Sequence, residues 1–456
     1  MLEPDDYAYR ASIVALSQGH ILLSNAQYLA LEHRLGTGAL GAPGGAGTSG
    51  SIMQWDHLAN GDWISEKNPG YPFLAVVFQW LGALRLTPLF YGALGCTGLY
   101  FGARRWLGRW GGAFAVVLMC SSGAALAFAW RATMETFTDA SLIAAGAGAL
   151  LWTLLATDAT QRRRLWVGLG ALLALDAATF TRYTDLVALG VALLTIVLVG
   201  RRVGITWRTL QFWATSVVLF GMAVLAFDQY VYGAWDKTGY APGEITFSWG
   251  ALAPNIEHMP GHLLRAIPML LLGFVALGWI AVRLVRARGE HNLAARARRR
   301  RDAVVAGSLG AGWLGFWGLY LSYNWTAQVS AQSGSSIHVI RFYLPALGMI
   351  ALLGAWVLAQ LTKRGPALVK WAPAAILVAL VIAGGWSYQN LVTASATGPG
   401  GAGGPAGTTL PGGLAAPGGR PSGTPPVGGA LPTGAAPTGA RGGAGTSPET
   451  RPKTTG

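Results

Sequence analysis

Two adjacent carboxylates and two isolated cations are the side chains of this chain best suited to chemistry. Asp5 and Asp6 stand near its start, Lys67 is its only lysine before residue 237, and Arg341 opens a late apolar run. A carboxylate within reach of a hydroxyl can act as a general base. A lysine or arginine can hold a phosphate group. Beside a membrane, this combination is a candidate for chemistry on a lipid-linked substrate.

Simpler roles remain open for the same residues. The segment 8–31 reads as a helix lying at the membrane surface, so Asp5 and Asp6 could cap its N-terminus, a contribution of about 0.5–2 kcal/mol. Lys67 could be an anchoring lysine whose ammonium group reaches the membrane interface.

The composition requires an all-α polytopic membrane protein. Hydrophobic residues make up 52% of the 456-residue chain and charged residues only 11%, where a soluble domain has about 25% charged residues. A bilayer core about 30 Å thick needs about 20 apolar residues per helix, and ten such segments are present. These predicted spans are 86–103, 112–130, 139–157, 165–181, 184–200, 210–230, 263–282, 303–321, 342–361 and 371–388.

Basic residues are concentrated in every second connection between the predicted spans. Eight arginines lie between Arg283 and Arg301 alone. Because Lys and Arg accumulate on the cytoplasmic side of membranes, the formal net charge of +14 is a topology signal, and we exclude nucleic acid as a partner. Most acidic residues fall on the opposite, extracytoplasmic side, which predicts a functional polar surface there.

Three regions follow from this pattern. Residues 1–85 form a large first extracytoplasmic loop with membrane-surface helices, and residues 86–390 form the transmembrane helical domain. Residues 391–456 are a Gly/Pro-rich tail expected to be disordered, as is the Gly-rich insert 36–50. Because this topology starts outside with no apolar segment before residue 3, we expect a first helix to be missing, which would give eleven spans in the intact protein.

Other charged residues at the ends of spans or inside them are expected to form structural ion pairs, because charges near hydrocarbon are costly without partners. Asp176, inside the fourth predicted span, is expected to pair with Arg182. The remaining residues of this group are Arg131, Glu135, Asp139 and Asp185.

Three short motifs resemble those of the GT-C membrane glycosyltransferases, in particular the protein O-mannosyltransferases and the lipid A aminoarabinose transferases. Pro-Asp-Asp at residues 4–6, followed by Tyr9, resembles the acidic motif of the family's first outer loop. Glu-Lys at residues 66–67, ahead of Gly-Tyr at 70–71, is similar to a second segment of that loop. Arg-Phe-Tyr-Leu-Pro at residues 341–345 resembles the motif that opens a late span.

The resemblance implies a polyprenyl-phosphate sugar donor and an acceptor hydroxyl on a glycan, lipid or protein. Asp5 would be the general base, and Asp6 would orient Asp5 or the acceptor, or raise the pKa of Asp5. Lys67 and Arg341 would hold the donor phosphate.

Tyr9 and Tyr71 would contribute to substrate binding. The resemblance implies no certain cofactor, although a divalent metal with Glu66 as a ligand is a candidate. The site would face the extracytoplasmic side of a multi-pass protein of the cell membrane.

A transporter or a polysaccharide or lipid flippase without transferase activity is the alternative class. Transporters place charged residues near the middle of the membrane and often consist of two similar halves. In this sequence the ionisable residues concentrate at one rim and no internal repeat is visible, so the pattern favours the transferase.

Overall fold

A computed structural model describes most of the chain. The described residues are 4–35, 54–58, 60–240, 243, 245–286, 292–333, 337–364 and 371–397. They all belong to one compact unit. The Gly-rich insert 36–50 and the tail from residue 398 lie outside the described residues, and so do the predictions of disorder made for them.

The described chain is helical apart from one small antiparallel ribbon, which confirms the all-α class. The ribbon consists of β1 (Trp55–His57) and β2 (Trp63–Ser65), with Asp56 opposite Ile64. The helices are α1 Pro4–Ser17, α2 Asn25–Leu35, α3 Gly70–Trp80, α4 Thr87–Leu107, α5 Arg109–Cys120, α6 Gly123–Ala129, α7 Thr136–Leu155, α8 Gln161–Thr181, α9 Leu186–Val199, α10 Trp207–Tyr232, α11 Leu252–Ala266, α12 Leu270–Arg286, α13 Leu293–Leu321, α14 Asn324–Ser333, α15 Ile337–Ile340, α16 Leu347–Arg364 and α17 Ala372–Thr397.

All ten predicted spans coincide with helices, but fewer of them qualify as straight membrane crossings. Among the described residues, six helices are long and apolar enough to cross a membrane, or eight if each of two bent pairs is one span. The pair α5 and α6 is bent by 70°, and the pair formed by α12 and the helical segment Trp249–Ala266 by 106°. Helix α9 is short, and α4 combines four glycines with two arginines. The predicted number of ten is therefore not established.

Two boundaries differ from the sequence prediction. The single helix expected over residues 8–31 is two helices, because Gly19 adopts a left-handed conformation with φ of +84° and Leu23 pairs with Trp63 of the ribbon. Glycine adopts positive φ without steric cost. At the other end of the chain, α17 continues to Thr397, past the tail boundary predicted at residue 391.

Helices α7 and α16 form the centre of the bundle. In the most apolar 18-residue segment of each span, 78% of the residues are buried in α7 and 94% in the span Arg341–Lys363, which contains most of α16. The corresponding shares are 6% in α10 and 17% in α17. Since α10 and α17 are apolar yet exposed, their surfaces are suited to lipid, whereas α7 and α16 are suited to support side chains held inside the bundle.

Small residues allow α4 and α7 to pack with their backbones in contact. A Cβ atom added at Gly102 would lie 2.4 Å from the carbonyl oxygen of Gly148, and one added at Gly148 would lie 2.2 Å from that of Gly98. Glycines at such helix interfaces allow close approach in membranes, where packing contacts rather than hydrophobic burial hold helices together.

The connections rich in arginine meet at one end of the bundle. Arg105 in the last turn of α4 pairs with Asp158 after α7, and Trp106 Nε1 donates to Asp302 of α13 at 3.0 Å. Arg283 of α12 donates to Gln360 of α16 at 3.2 Å. We call this the arginine-rich end, and the candidate site lies at the other end of the same helices.

The close contact between α4 and α7 predicts that Gly148→Ala destabilises the protein. The added methyl group forces the two helices apart, and such overpacking typically costs about 1–3 kcal/mol. Gly170→Ala in α8 is the matched control, since a Cβ there meets nothing within 4 Å. Thermal unfolding of the purified protein in detergent measures both variants. Equal melting temperatures for the two variants would contradict the packing described here.

Candidate active site

Asp5 lies at the centre of a buried cluster of charges. Lys67 Nζ is 3.1 Å from its Oδ1, and Arg341 donates a hydrogen bond to its Oδ2. All three side chains are about nine-tenths buried. The carboxylate therefore joins the first turn of α1, the segment after β2 and the 3-10 turn Arg341–Ala346, which precedes α16.

The charges in this cluster stabilise one another. Burial alone would raise the pKa of Asp5, but Arg341 and Lys67 outweigh burial and hold that pKa well below its ordinary value of 3.8. Burial would lower the pKa of Lys67, yet Tyr240 and Asp5 raise it above its usual range. Asp5, Lys67 and Arg341 are therefore all ionised at neutral pH. Two cations, Lys67 and Arg341, thus face the single carboxylate of Asp5.

Asp6 pairs with a cation other than the two that contact Asp5. Arg131 forms an ion pair with Asp6 Oδ2, and the hydroxyl of Thr133 donates to Asp6 Oδ1 at 2.7 Å. Consecutive residues of a helix point in different directions, so the neighbouring carboxylates take separate partners. The role of Asp6 in orienting Asp5 or an acceptor stays a prediction.

The ribbon and its hydrogen bonds fix the backbone that carries Lys67. The amide of Glu66 donates to the carbonyl oxygen of Gln54 at 2.9 Å, and the amide of Lys67 donates to Ser65 Oγ at 3.2 Å. A Cβ at Gly239 would lie 2.6 Å from the Glu66 backbone, so the loop after α10 covers the same segment. Lys67 thus extends from backbone that is held on two sides.

Tyr9 and Tyr71 connect α1 to α3 beside the charges. Their rings meet edge to face with centroids 5.6 Å apart, and the Tyr71 hydroxyl donates to the carbonyl oxygen of Ala132 at 2.6 Å. Gly70 allows this arrangement, because a Cβ there would lie 2.4 Å from the amide nitrogen of Thr181 in α8. Both tyrosines are buried, and their role in substrate binding stays a prediction.

Two further residues, Arg131 and Tyr240, belong to the cluster, and the sequence did not predict them there. Arg131 was noted only as a charge at the end of a span, and its pairing with Asp6 had no signal in the spacing. Tyr240 lies in the loop after α10, and its ring centroid is 5.1 Å from Lys67 Nζ. Contacts between segments so distant in the chain leave no periodic pattern in the sequence.

A second buried ion pair lies next to the first cluster. Arg182 donates to Glu135 at 2.6 Å, so the expectation that Arg182 would pair with Asp176 is wrong. Arg182, directly after α8, extends toward Glu135, the residue before α7, and not back along α8 toward Asp176. The ring of Phe342 connects the two sites, since it lies 5.4 Å from the Arg182 guanidinium and 4.9 Å from that of Arg341.

The donor set for a metal ion does not fit this site. Within the described residues, no group of three or more His, Cys, Asp and Glu side chains could hold a metal ion. Asp5 already faces two cations, and Coulomb repulsion from them disfavours a third. We therefore derive no step through a metal bound by Glu66.

No family model and no curated protein matches this sequence. Among solved structures, the chain is similar to the oligosaccharyltransferase of Archaeoglobus fulgidus in its apo form, with 10% identity and a TM-score of 0.46 over 75% of this chain and 49% of that one. It is also similar to ArnT from Cupriavidus metallidurans. The structure bound to undecaprenyl phosphate gives 17% identity and a TM-score of 0.38, covering 72% of this chain and 61% of that one.

The apo structure of ArnT gives 16% identity and a TM-score of 0.41, covering 72% of this chain and 66% of that one. The chain thus spans about half to two thirds of the length of the solved structures that it matches.

The cluster predicts a specific pH dependence for the stability contributed by Asp5. Removing one partner of a buried ion pair typically costs about 3–5 kcal/mol, so Asp5→Asn should melt at a lower temperature than the wild type. Because the folded pKa of Asp5 is depressed, this difference should be constant above about pH 5 and shrink as the pH falls through the ordinary aspartate range toward the folded pKa.

Thermal unfolding of both proteins between about pH 3 and pH 8 measures this difference. Asp236→Asn, in an exposed loop, is the control and should change little at any pH. A difference that grows as the pH falls would contradict the pairing of Asp5 with Lys67 and Arg341.

Proposed function

We propose that this protein is an integral membrane glycosyltransferase that moves a sugar from a polyprenyl-phosphate donor to an acceptor hydroxyl. The observation that carries the proposal is the convergence of Lys67 and Arg341 on the buried carboxylate of Asp5. Two cations side by side are suited to bind an anionic group, and the carboxylate between them is suited to accept a proton. A sugar phosphate donor supplies the anionic group, and an acceptor hydroxyl supplies the proton.

Each cation is suited to the donor phosphate in its own way. Lys67 offers a compact charge with three donors, and Arg341 offers a planar fork that can bind two phosphate oxygens at once. Both lie at the end of the bundle opposite to the arginine-rich end. Because arginine-rich connections lie in the cytoplasm, we assign the site to the extracytoplasmic face of the cell membrane.

The proposed reaction is a single displacement at the anomeric carbon. The acceptor hydroxyl gives its proton to Asp5 while its oxygen forms a bond to the anomeric carbon. The bond from that carbon to the phosphate oxygen breaks, and the electron pair leaves with the polyprenyl phosphate. The configuration of the sugar is inverted, and Lys67 and Arg341 stabilise the charge that develops on the leaving phosphate.

Donor binding would also activate the base. In the donor-free site, Arg341 and Lys67 depress the pKa of Asp5 against the effect of burial, and a carboxylate so stabilised is a weak base. A bound phosphate competes for the same two cations. As their hydrogen bonds shift to phosphate, the buried carboxylate loses stabilisation and its pKa rises.

The surrounding residues have supporting roles in this proposal. Asp6 and Arg131 hold the first turn of α1, so that Asp5 faces the cations. Tyr9 and Tyr71 keep α1 against α3 and would contact the substrate from that side. The acceptor is a hydroxyl group of a glycan, a lipid or a protein.

The proposal predicts that Asp5→Asn separates catalysis from donor binding. Sugar transfer should fall by about 10²- to 10⁴-fold, the usual contribution of a general base. Binding of polyprenyl phosphate should be unchanged or tighter, because the variant removes the negative charge that competes with phosphate. Transfer of radiolabelled sugar from polyprenyl-phosphate donors and equilibrium binding of unlabelled polyprenyl phosphate measure the two effects.

Asp236→Asn is the control and should retain both properties. Full transfer by Asp5→Asn would exclude Asp5 as the base. If the wild type moves the lipid across vesicle membranes but never transfers sugar, the protein belongs to the alternative class of flippases and transporters.

The second prediction concerns Lys67. Lys67→Met removes one of the two phosphate contacts but retains much of the side-chain volume, so the KM for the donor should rise roughly 10- to 100-fold. Lys237→Met removes a lysine from an exposed position of the loop after α10 and serves as the matched control. An unchanged KM for the donor in Lys67→Met would show that Lys67 does not hold the phosphate.

A further inference from the structure

A separate cavity lies in the bundle toward the arginine-rich end. Its volume is about 550 Å³, within the range of about 300–1,000 Å³ that is typical of ligand pockets. Helices α7, α8, α9, α13 and α16 contribute to its wall. Most of the lining is aliphatic, and representative residues are Leu151, Ala192, Val305 and Met349.

The lining is polar at one end only. Arg202, Arg300 and Arg301 line the cavity together, and Arg301 lies 3.6 Å from Asp302. In the part of the chain that the structure describes, no carboxylate pairs with Arg202 or Arg300. The cavity therefore has an apolar interior and a cationic end.

The wall also contains hydroxyl groups, but they do not make the interior of the cavity polar. Thr195 Oγ1 donates to the carbonyl oxygen of Val191 at 2.7 Å, and Ser308 Oγ lies 2.9 Å from Thr195 Oγ1 and can donate to it, which joins α9 to α13. Both residues line the cavity, and their hydrogen bond satisfies them within the protein. The guanidinium groups are the polar groups left to attract a ligand.

The depth of the cavity corresponds to one leaflet of a bilayer. Lining residues on α13 extend from Ala297 to Leu309, which at 1.5 Å per residue is about 18 Å along the helix axis. Half of a bilayer core is about 15 Å. A lipid chain that enters beside the arginines would reach the middle of the membrane next to Met349.

We propose that this cavity binds one anionic phospholipid from the leaflet at the arginine-rich end, which the positive-inside rule makes the cytoplasmic leaflet. The phosphate binds Arg202 and Arg300, and an acyl chain fills the aliphatic interior. Basic pockets between transmembrane helices on this side are suited to anionic lipid headgroups.

Charge complementarity favours this occupant over the chain of a polyprenyl-phosphate donor. A donor whose phosphate lies on Lys67 would place the uncharged end of its chain at the arginines. The cations would then face hydrocarbon, which is unfavourable. A phospholipid places its own charge there instead, so the proposal concerns a second lipid site and is independent of the proposed transfer reaction.

The test is the binding of defined phospholipids to the full-length protein in detergent. We expect native mass spectrometry with dioleoyl phosphatidylglycerol to show one tightly bound lipid per chain, and dioleoyl phosphatidylcholine to bind more weakly. The double variant Arg202→Gln/Arg300→Gln should lose about tenfold in affinity for phosphatidylglycerol. The matched control Arg162→Gln/Arg208→Gln removes the same charge from exposed positions outside the cavity wall and should bind as the wild type does.

A second pair of variants tests the apolar interior. Ala192→Phe fills the cavity and should also lose the bound lipid, whereas Leu194→Phe, at an exposed position of the same helix, should retain it. Thermal unfolding verifies that each variant is folded. Ala192→Leu replaces Ala192→Phe if the larger residue prevents folding, and it should weaken lipid binding because it fills part of the same apolar volume.

Three outcomes would overturn the proposal. Equal binding of phosphatidylglycerol and phosphatidylcholine would exclude recognition of a net negative charge on the headgroup. Equal losses in the two arginine double variants would indicate a general surface effect. Polyprenyl phosphate could displace phosphatidylglycerol from the wild type but not from Lys67→Met. That result would assign the cavity to the chain of the donor.

Discussion

The arrangement of the site depends on the ion pairs that the Asp5 carboxylate forms with Lys67 and Arg341. The carboxylate holds together three segments that lie far apart in the chain, because one oxygen faces Lys67 and the other faces Arg341. Each of these groups alone would be costly to bury, and together they neutralise most of that cost. The first turn of α1, the segment after the ribbon and the turn before α16 are therefore coupled, and none can move away without leaving a buried charge.

The bundle supplies the rigid support that such a cluster requires. Glycine contacts bring α4 against α7, and α7 and α16 are the most buried of the long apolar helices. Phe342 packs between the guanidinium groups of Arg182 and Arg341, so the second ion pair supports the first. In the described part of the chain, the buried ion pairs of Asp5, Asp6 and Arg182 thus lie at the end of the bundle opposite to the arginine-rich end.

The sequence predicts the helices well because a membrane span has a strong signal, a run of about 20 apolar residues. It does not predict bends, since hydropathy is the same on both sides of Ser122, whose hydroxyl caps α6. It also missed the break at Gly19. In the site, motif resemblance grouped Asp5, Lys67 and Arg341, whose side chains contact one another in the structure. It did not include Arg131 and Tyr240, because contacts between residues so far apart in the chain leave no local pattern.

The same cations serve both the resting carboxylate and the leaving phosphate of the proposed reaction, and this has an energetic consequence. Each unit by which donor binding raises the pKa of Asp5 corresponds to about 1.4 kcal/mol of stabilisation that the cations withdraw from the carboxylate. The donor therefore binds less tightly by that free energy, and Asp5 becomes a stronger base by the same amount. Binding energy used in this way accelerates the reaction instead of tightening the ground state, so a site that holds its base inactive until the donor arrives gains in selectivity what it loses in affinity.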